Sequence, residues 1–109
     1  MPRPISLRQK QSQFTHMVAL LILQAEVLGF ECTLAEAYRH PSRKGGHKTS
    51  LHRKRLAVDV NLFRNGKYLK RTEEHRELGV YWESIGGSWG GRFTPQDGNH
   101  YSLAYRGMR

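Results

Sequence analysis

The chain lacks several features that would point to familiar protein classes. Its single cysteine, Cys32, excludes an internal disulfide framework and any cysteine-rich zinc site, and it points to folding in a reducing compartment. The longest apolar run, Met17 to Leu23, is about a third of the roughly 20 residues a membrane-spanning helix needs. It is closed by Gln24 and Glu26 and lies behind a polar stretch, so it does not read as a secretory signal either. Acids are scarce: 9 Asp+Glu against 18 Lys+Arg leave a formal charge of +9 with the six histidines neutral. That excess points to an anionic partner, and nucleic acid is the first class to consider. At 109 residues there is room for one domain with a modest core and for no separate binding or regulatory module. There is no internal repeat or low-complexity segment.

Met1 to Ser12 is polar and basic with two prolines and reads as a flexible arm or a short leading turn. From Gln13 to Leu28, Phe14, Met17, Val18, Leu21, Ala25 and Leu28 recur at the spacing of one helix face, with Leu20, Leu23 and Val27 widening the stripe and Gly29 as a stop. Cys32 to Tyr38 reads as a short strand entering a loop. Arg43 to Arg55 carries six Lys or Arg and no acid. Leu56 to Phe63 alternates, with Leu56, Val58, Val60 and Leu62 on one face and Ala57, Asp59, Asn61 and Phe63 on the other. Asn65-Gly66 marks a tight hairpin turn leading to Tyr68 and Leu69. Thr72 to about Ile85 is expected to form a second helix with Leu78, Tyr81, Trp82 and Ile85 inward, ended by Gly86-Gly87. Trp89 to Phe93 and Asn99 to Ala104 read as two short strands joined by a turn over Pro95 to Gly98.

Asp59 is the oddest residue, a carboxylate in the middle of a strand between Val58 and Val60. A buried carboxylate without a partner costs several kcal/mol or loses its charge. A salt bridge to a nearby arginine would satisfy it. So would a metal ion, because His52 lies seven residues earlier and His100 lies in the last strand, three residues after Asp97. Two imidazoles and a carboxylate make a catalytic zinc set with an open fourth position. Asp97 could then take a proton from the attacking water. A buried ion pair with two hydrogen-bonded histidines is the alternative reading of the same residues.

At these residues the sequence resembles a known family. Ser50-Leu51-His52 followed by Leu56-Ala57-Val58-Asp59 is similar to the Ser-x-His-x6-Asp motif of the D-Ala-D-Ala metallopeptidases, which include VanY-type carboxypeptidases and the L-alanyl-D-glutamate endopeptidases of phage endolysins. Asp97-Gly98-Asn99-His100-Tyr101 resembles the second motif of that family, Trp89-Gly90-Gly91 the segment before it, and Ala37-Tyr38-Arg39 the Tyr-Arg before the first. The four matches are in family order between about Phe14 and Leu103. The resemblance implies that His52, Asp59 and His100 bind Zn²⁺ and that Asp97 is the general base. It implies too that Arg39 engages a substrate carboxylate or polarises the scissile carbonyl, and that Ser50 helps to place the substrate. The fold it implies is an α+β domain, a small, mainly antiparallel sheet carrying the zinc site, packed on the long N-terminal helix and a second helix.

One position departs from the pattern: the family usually has Gly three residues after the first histidine, and this chain has Arg55. A left-handed backbone there would cost a non-glycine residue on the order of 1 kcal/mol. Among the other candidates, His47 reads as a rim residue, His16 and His75 as solvated on the polar sides of their helices, Trp82 and Trp89 as core, and Cys32 as a small buried hydrophobe. His40 is not assigned.

The expected activity is that of a zinc-dependent peptidoglycan peptidase. The closer expectation is a phage endolysin cutting the L-alanyl-D-glutamate bond, with Asp at the base position leaning that way. A D-Ala-D-Ala carboxypeptidase is the alternative within the family. From another class, the charge suggests a basic nucleic-acid-binding protein or metal-dependent nuclease, but that leaves Asp59 and the Trp-Gly-Gly segment unexplained. A non-enzymatic zinc module would leave Asp97 idle. The endolysin reading expects a monomeric catalytic domain, without a wall-binding module, that waits in the host cytoplasm until released to the wall. It expects peptidoglycan as partner, no stable nucleic acid, and electrostatic contact with an anionic envelope or membrane surface.

Overall fold

The computed structural model describes residues 4–38, 40 and 50–109. Its first element, helix α1 (Leu7–Val27), begins six residues before the expected start. Ser6 caps it, its hydroxyl accepting from the Gln9 N–H while the Gln9 side chain accepts from the Ser6 N–H. This reciprocal capping box satisfies two otherwise orphaned donors, and it makes Leu7 to Ser12 helix rather than arm. The helix ends where Gly29 enters the left-handed region (φ 86°), with the Gly29 N–H bonded to Glu26 and the Phe30 N–H to Ala25.

Phe14, Met17, Leu21 and Ala25 form the buried face of α1, with Val18 and Leu28 packed at its margin. Leu23 and Val27 do not widen it. They are 59% and 79% exposed, because they lie about half a turn from the Phe14 row and face away from the sheet.

Among the described residues five strands form one antiparallel sheet: β1 (Glu31–Glu36), β2 (Ala57–Arg64), β3 (Lys67–Leu69), β4 (Ser88–Trp89) and β5 (His100–Ser102). Their order is β1-β2-β5-β4, with β3 also paired to β2. The β2–β3 hairpin turns on Asn65 (φ 53°) and Gly66 (φ 76°), the positive φ values that a two-residue hairpin demands. Val58, Val60 and Leu62 of β2 are buried against the helices. Asp59, Asn61 and Phe63 alternate with them and stay on the other face, partly open. The stretch Gly90–Arg92, expected to continue a strand, is a 3₁₀ turn instead, for reasons that concern the site.

Helix α2 (Arg76–Ser84) follows a 3₁₀ turn over Thr72–His75 and buries Leu78 and Trp82. Three aromatic groups join α1, α2 and the sheet: Phe14 meets Trp82 edge-on at 5.8 Å, and Trp82 meets Tyr101 edge-on at 6.0 Å. The Trp82 ring N–H donates to the carbonyls of Ser102 (2.9 Å) and Ser88 (3.1 Å). Cys32 is partly buried at the edge of this core. No helix among the described residues is long and apolar enough to cross a membrane.

His75 overturns its expected solvated position, being 2% exposed. The 3₁₀ turn advances three residues per turn rather than 3.6, which shifts His75 out of the helix phase and under the sheet. Its Nδ1 lies 2.9 Å from the Tyr101 hydroxyl. Burial pushes its pKa down from 6.5, against the opposing pull of the Leu69 backbone and Glu74. The unfolded chain therefore takes up a proton at this site at higher pH than the folded one, so the contribution is whole above about 6.5 and is lost as pH falls below it. The midpoint of denaturant unfolding is expected to drop between about pH 7.5 and about pH 5.5, and to drop less in His75→Gln. An unchanged slope in that variant would remove His75 as the cause.

Candidate metal centre

Three segments bring the singled-out residues together. Leu51–Lys54 is a 3₁₀ turn whose N-cap is Ser50, the hydroxyl accepting from the His52 N–H at 3.2 Å. Leu51, 1% exposed, anchors the turn in the core, and its carbonyl accepts from Leu56 as the chain enters β2. His52 is thereby held at the mouth of β2. Two residues into β2 stands Asp59, and directly opposite it in the β2–β5 ladder stands His100. Cross-strand partners share a sheet face, so this register alone brings the second and third groups into contact.

His52 Nε2 lies 3.3 Å and His100 Nδ1 3.5 Å from Asp59 Oδ1. All three donor atoms lie within 4.8 Å of one another, a spread that one ion can share. Asp59 Oδ1 is buried and has no well-formed hydrogen bond among the described residues. An orphaned carboxylate oxygen facing two imidazole nitrogens is costly unless a cation sits among them, and N,N,O donors suit zinc. Burial pushes the Asp59 carboxyl up, but His100 and His52 beside it pull it further down, to about 2, so it is ionised and ready to ligate at neutral pH.

Asp97 sits above this group, its side chain 55% exposed and Oδ2 4.0 Å from His100 Nδ1. Burial, and then the negative charge of Asp59, push its pKa up, while His100 and His52 pull the other way. The Trp-Gly-Gly segment fixes its turn. The Gly90 carbonyl accepts from the Asp97 N–H (2.8 Å), the Trp89 ring donates to the Gly98 carbonyl (2.8 Å), and the His100 N–H donates to the Asp97 carbonyl (3.1 Å). A Cβ on Gly90 would collide with the Asp97 carbonyl and the His100 Cβ, and one on Gly91 or Gly79 would enter the Trp89 ring. Trp89, 1% exposed, is therefore a buried scaffold for the Asp97 to His100 turn.

Arg55 takes the left-handed conformation, φ 57° and ψ 38°, that its place after the first histidine foreshadowed. Its guanidinium lies 4.4 Å over the Tyr38 ring, a contact of about 0.5–1 kcal/mol that offsets part of the backbone cost. Arg39 and His47 lie outside the described residues. His40 is exposed, and its carbonyl accepts from the Arg53 side chain. His16 is exposed on α1, as expected. Sequence reasoning missed Phe93, which packs on the His100 ring at 5.2 Å; its nearness to Trp-Gly-Gly was the available signal.

The family profile described as D-alanyl-D-alanine carboxypeptidase matches residues 43–103, more than half of the chain. The chain belongs to the D-alanyl-D-alanine carboxypeptidase family. It is thus a metallopeptidase of the peptidoglycan-directed kind. This family member also has the fold of the crystal structure of the Serratia marcescens L-Ala D-Glu endopeptidase ChiX, with a TM-score of 0.73 and 20% identity over 92% of this chain and 84% of that one. No curated protein matches it at a significant level.

The cradle at Gly90 makes a direct prediction. Gly90→Ala should displace the Asp97 turn and His100 together, weakening metal binding by about tenfold or more and lowering stability by about 1–3 kcal/mol. Metal titration against the unaltered chain checks it, and equal affinity would show that the turn does not depend on this approach.

Proposed function

We propose that the chain is a zinc-dependent endopeptidase that cleaves the L-alanyl-D-glutamate bond of the peptidoglycan stem, and that it serves as a phage lysin. The observation that carries the reading is the convergence of His52, Asp59 and His100 on one point with the Asp97 carboxylate beside it. The choice of bond is supported by the fold shared with an L-Ala D-Glu endopeptidase.

In this reading His52 Nε2, Asp59 Oδ1 and His100 Nδ1 hold the ion. Zinc bound there supplies Lewis acidity, lowering the pKa of water at the site toward about 7 and polarising the scissile carbonyl. Asp97 accepts the proton of the attacking water and returns it to the leaving amine. Its carboxylate stands beside His100, and its exposed side chain lets substrate reach it. Ser50 Oγ, already accepting from His52, keeps its own hydroxyl proton to donate to substrate. Arg39 holds a stem carboxylate through its paired donors. A lysin of this kind acts as a monomer, stays in the host cytoplasm until released, and binds no nucleic acid stably.

A second reading is carried by the description of the matched family: removal of the terminal D-Ala from a D-Ala-D-Ala end. Mass spectrometry of digested muropeptides separates the two. The expected products carry a free D-Glu amino terminus, and loss of a single D-Ala would replace the endopeptidase by the carboxypeptidase. Chelation is expected to abolish cleavage, and Asp97→Ala to cost about 10²-fold or more in kcat while the metal stays bound. An Asp97→Ala protein with full activity would overturn the base assignment.

The charge of +9 has a part in this reading, drawing the enzyme to a carboxylate-rich envelope. Lysis of whole walls should then fall steeply as salt rises, while cleavage of a soluble stem peptide falls much less. Parallel salt curves for the two substrates would remove that role.

A further inference from the structure

The sheet face that carries Asp59 does not end at the metal centre. Cross-strand register divides it into three rows. Glu36, Asp59 and His100 lie side by side in the first. Thr33 pairs with Asn61 in the second, where the Asn99 side chain reaches Asn61 at 3.5 Å. The third holds Glu31, Phe63 and Tyr68, with the two aromatic rings 5.5 Å apart and tilted by 44°. Both helices pack on the opposite face, against Val58, Val60 and Leu62. Tyr68 is 47% exposed and Glu31 and Thr33 are also open to solvent.

We propose that Phe63 and Tyr68 form a subsite for the pyranose ring of the glycan strand that bears the stem, so that the enzyme recognises sugar-linked stems over free peptide. The inference rests on the L-alanyl-D-glutamate reading and deepens it. Phe63 lies four residues from Asp59 along one strand, roughly 13 Å. Between the L-alanyl-D-glutamate bond and the sugar stand one residue and a lactyl group, roughly 7 Å when extended, with the ring itself reaching a few ångströms further. The sugar of an extended stem therefore comes up to the near side of the aromatic row, where the Phe63 and Tyr68 side chains can meet it.

The chemistry of the rows suits that occupant. The C–H face of a pyranose is apolar and its rim is polar, and a partly exposed aromatic pair buries the first while leaving the second wet. The exposed Glu31 carboxylate beside the pair accepts from sugar hydroxyls. In the row between, the Asn61–Asn99 pair presents both a donor and an acceptor to the amide that joins lactyl group and L-Ala.

Two measurements test this with the whole chain. In the first, N-acetylmuramyl-L-alanine is titrated against the zinc-loaded protein by NMR. Shifts centred on the Phe63 and Tyr68 rings are expected, with affinity about tenfold weaker in Tyr68→Ala, an exposed position where folding is not at stake. Shifts elsewhere, or none, would overturn the subsite. In the second, kcat/KM is compared between a disaccharide-linked stem and the free stem peptide. A preference of about tenfold for the linked stem is expected, residing in KM and collapsing toward unity in Tyr68→Ala. A ratio near one in the unaltered enzyme would sink the proposal and leave the endopeptidase standing. Sugar binding at the aromatic row without cleavage of either stem would sink the endopeptidase reading instead.

Discussion

The pairing of Asp59 opposite His100 is the constraint on which the rest of the site depends. A strand has a side-chain period of two, so a slip of one residue in β2 would turn Asp59 into the core and Val58 or Val60 out to solvent. The hydrophobic face of β2, with Val60 and Leu62 fully buried, thus enforces a register that the polar face needs for chemistry. The Leu56 carbonyl, accepting from Leu103, and the Asn99 carbonyl, accepting from Val60, extend that register beyond the strand ends. His52 is then added by a short 3₁₀ turn directly before the strand, which leaves it little freedom of position.

Around this ladder the chain invests large buried groups in holding small movable ones. Trp89 occupies space opened by two glycines on different elements, Gly79 of α2 and Gly91, and its ring nitrogen reaches the turn that presents Asp97. Trp82 does the same for the ends of β4 and β5 by donating to Ser88 and Ser102. Each indole is an apolar body with one fixed donor, and both donors are spent on backbone carbonyls near the site. Positioning of this kind limits the reorganisation that a catalytic group must undergo before it acts.

Much of this was legible in the amino-acid sequence, where local rules and global fold agree. The alternation of Leu56 to Phe63 placed Asp59 on its face, Asn65-Gly66 fixed the hairpin, and the Phe14 to Ala25 spacing located the buried side of α1. The start of α1 is hidden in the sequence because two prolines and several charges mask the four-residue capping box of Ser6 and Gln9. His75 escaped because a helical wheel assumes 3.6 residues per turn and the chain uses a 3₁₀ turn there. Leu23 and Val27 misled because apolar character alone does not say which side of a helix meets a neighbour. The strand expected through Gly90 and Gly91 failed on tertiary grounds: the close approach of Asp97 and His100 needs a curled backbone without side chains.

The assembly of the donors from distant parts of the chain bears on how the protein survives outside its folded state. His52 and Asp59 are neighbours in sequence, but His100 joins them only when β5 docks on β2. An unfolded chain therefore offers at most a fragment of the set, and an ion that needs all three donors favours the native state by mass action. At a free concentration a thousand times the dissociation constant, that preference amounts to about 4 kcal/mol, a large share of the stability a domain of this size can have. For a small core with no disulfide, an ion held in the proposed way would then be as much a fastening as a reagent, and its loss would loosen the sheet as well as silence the site.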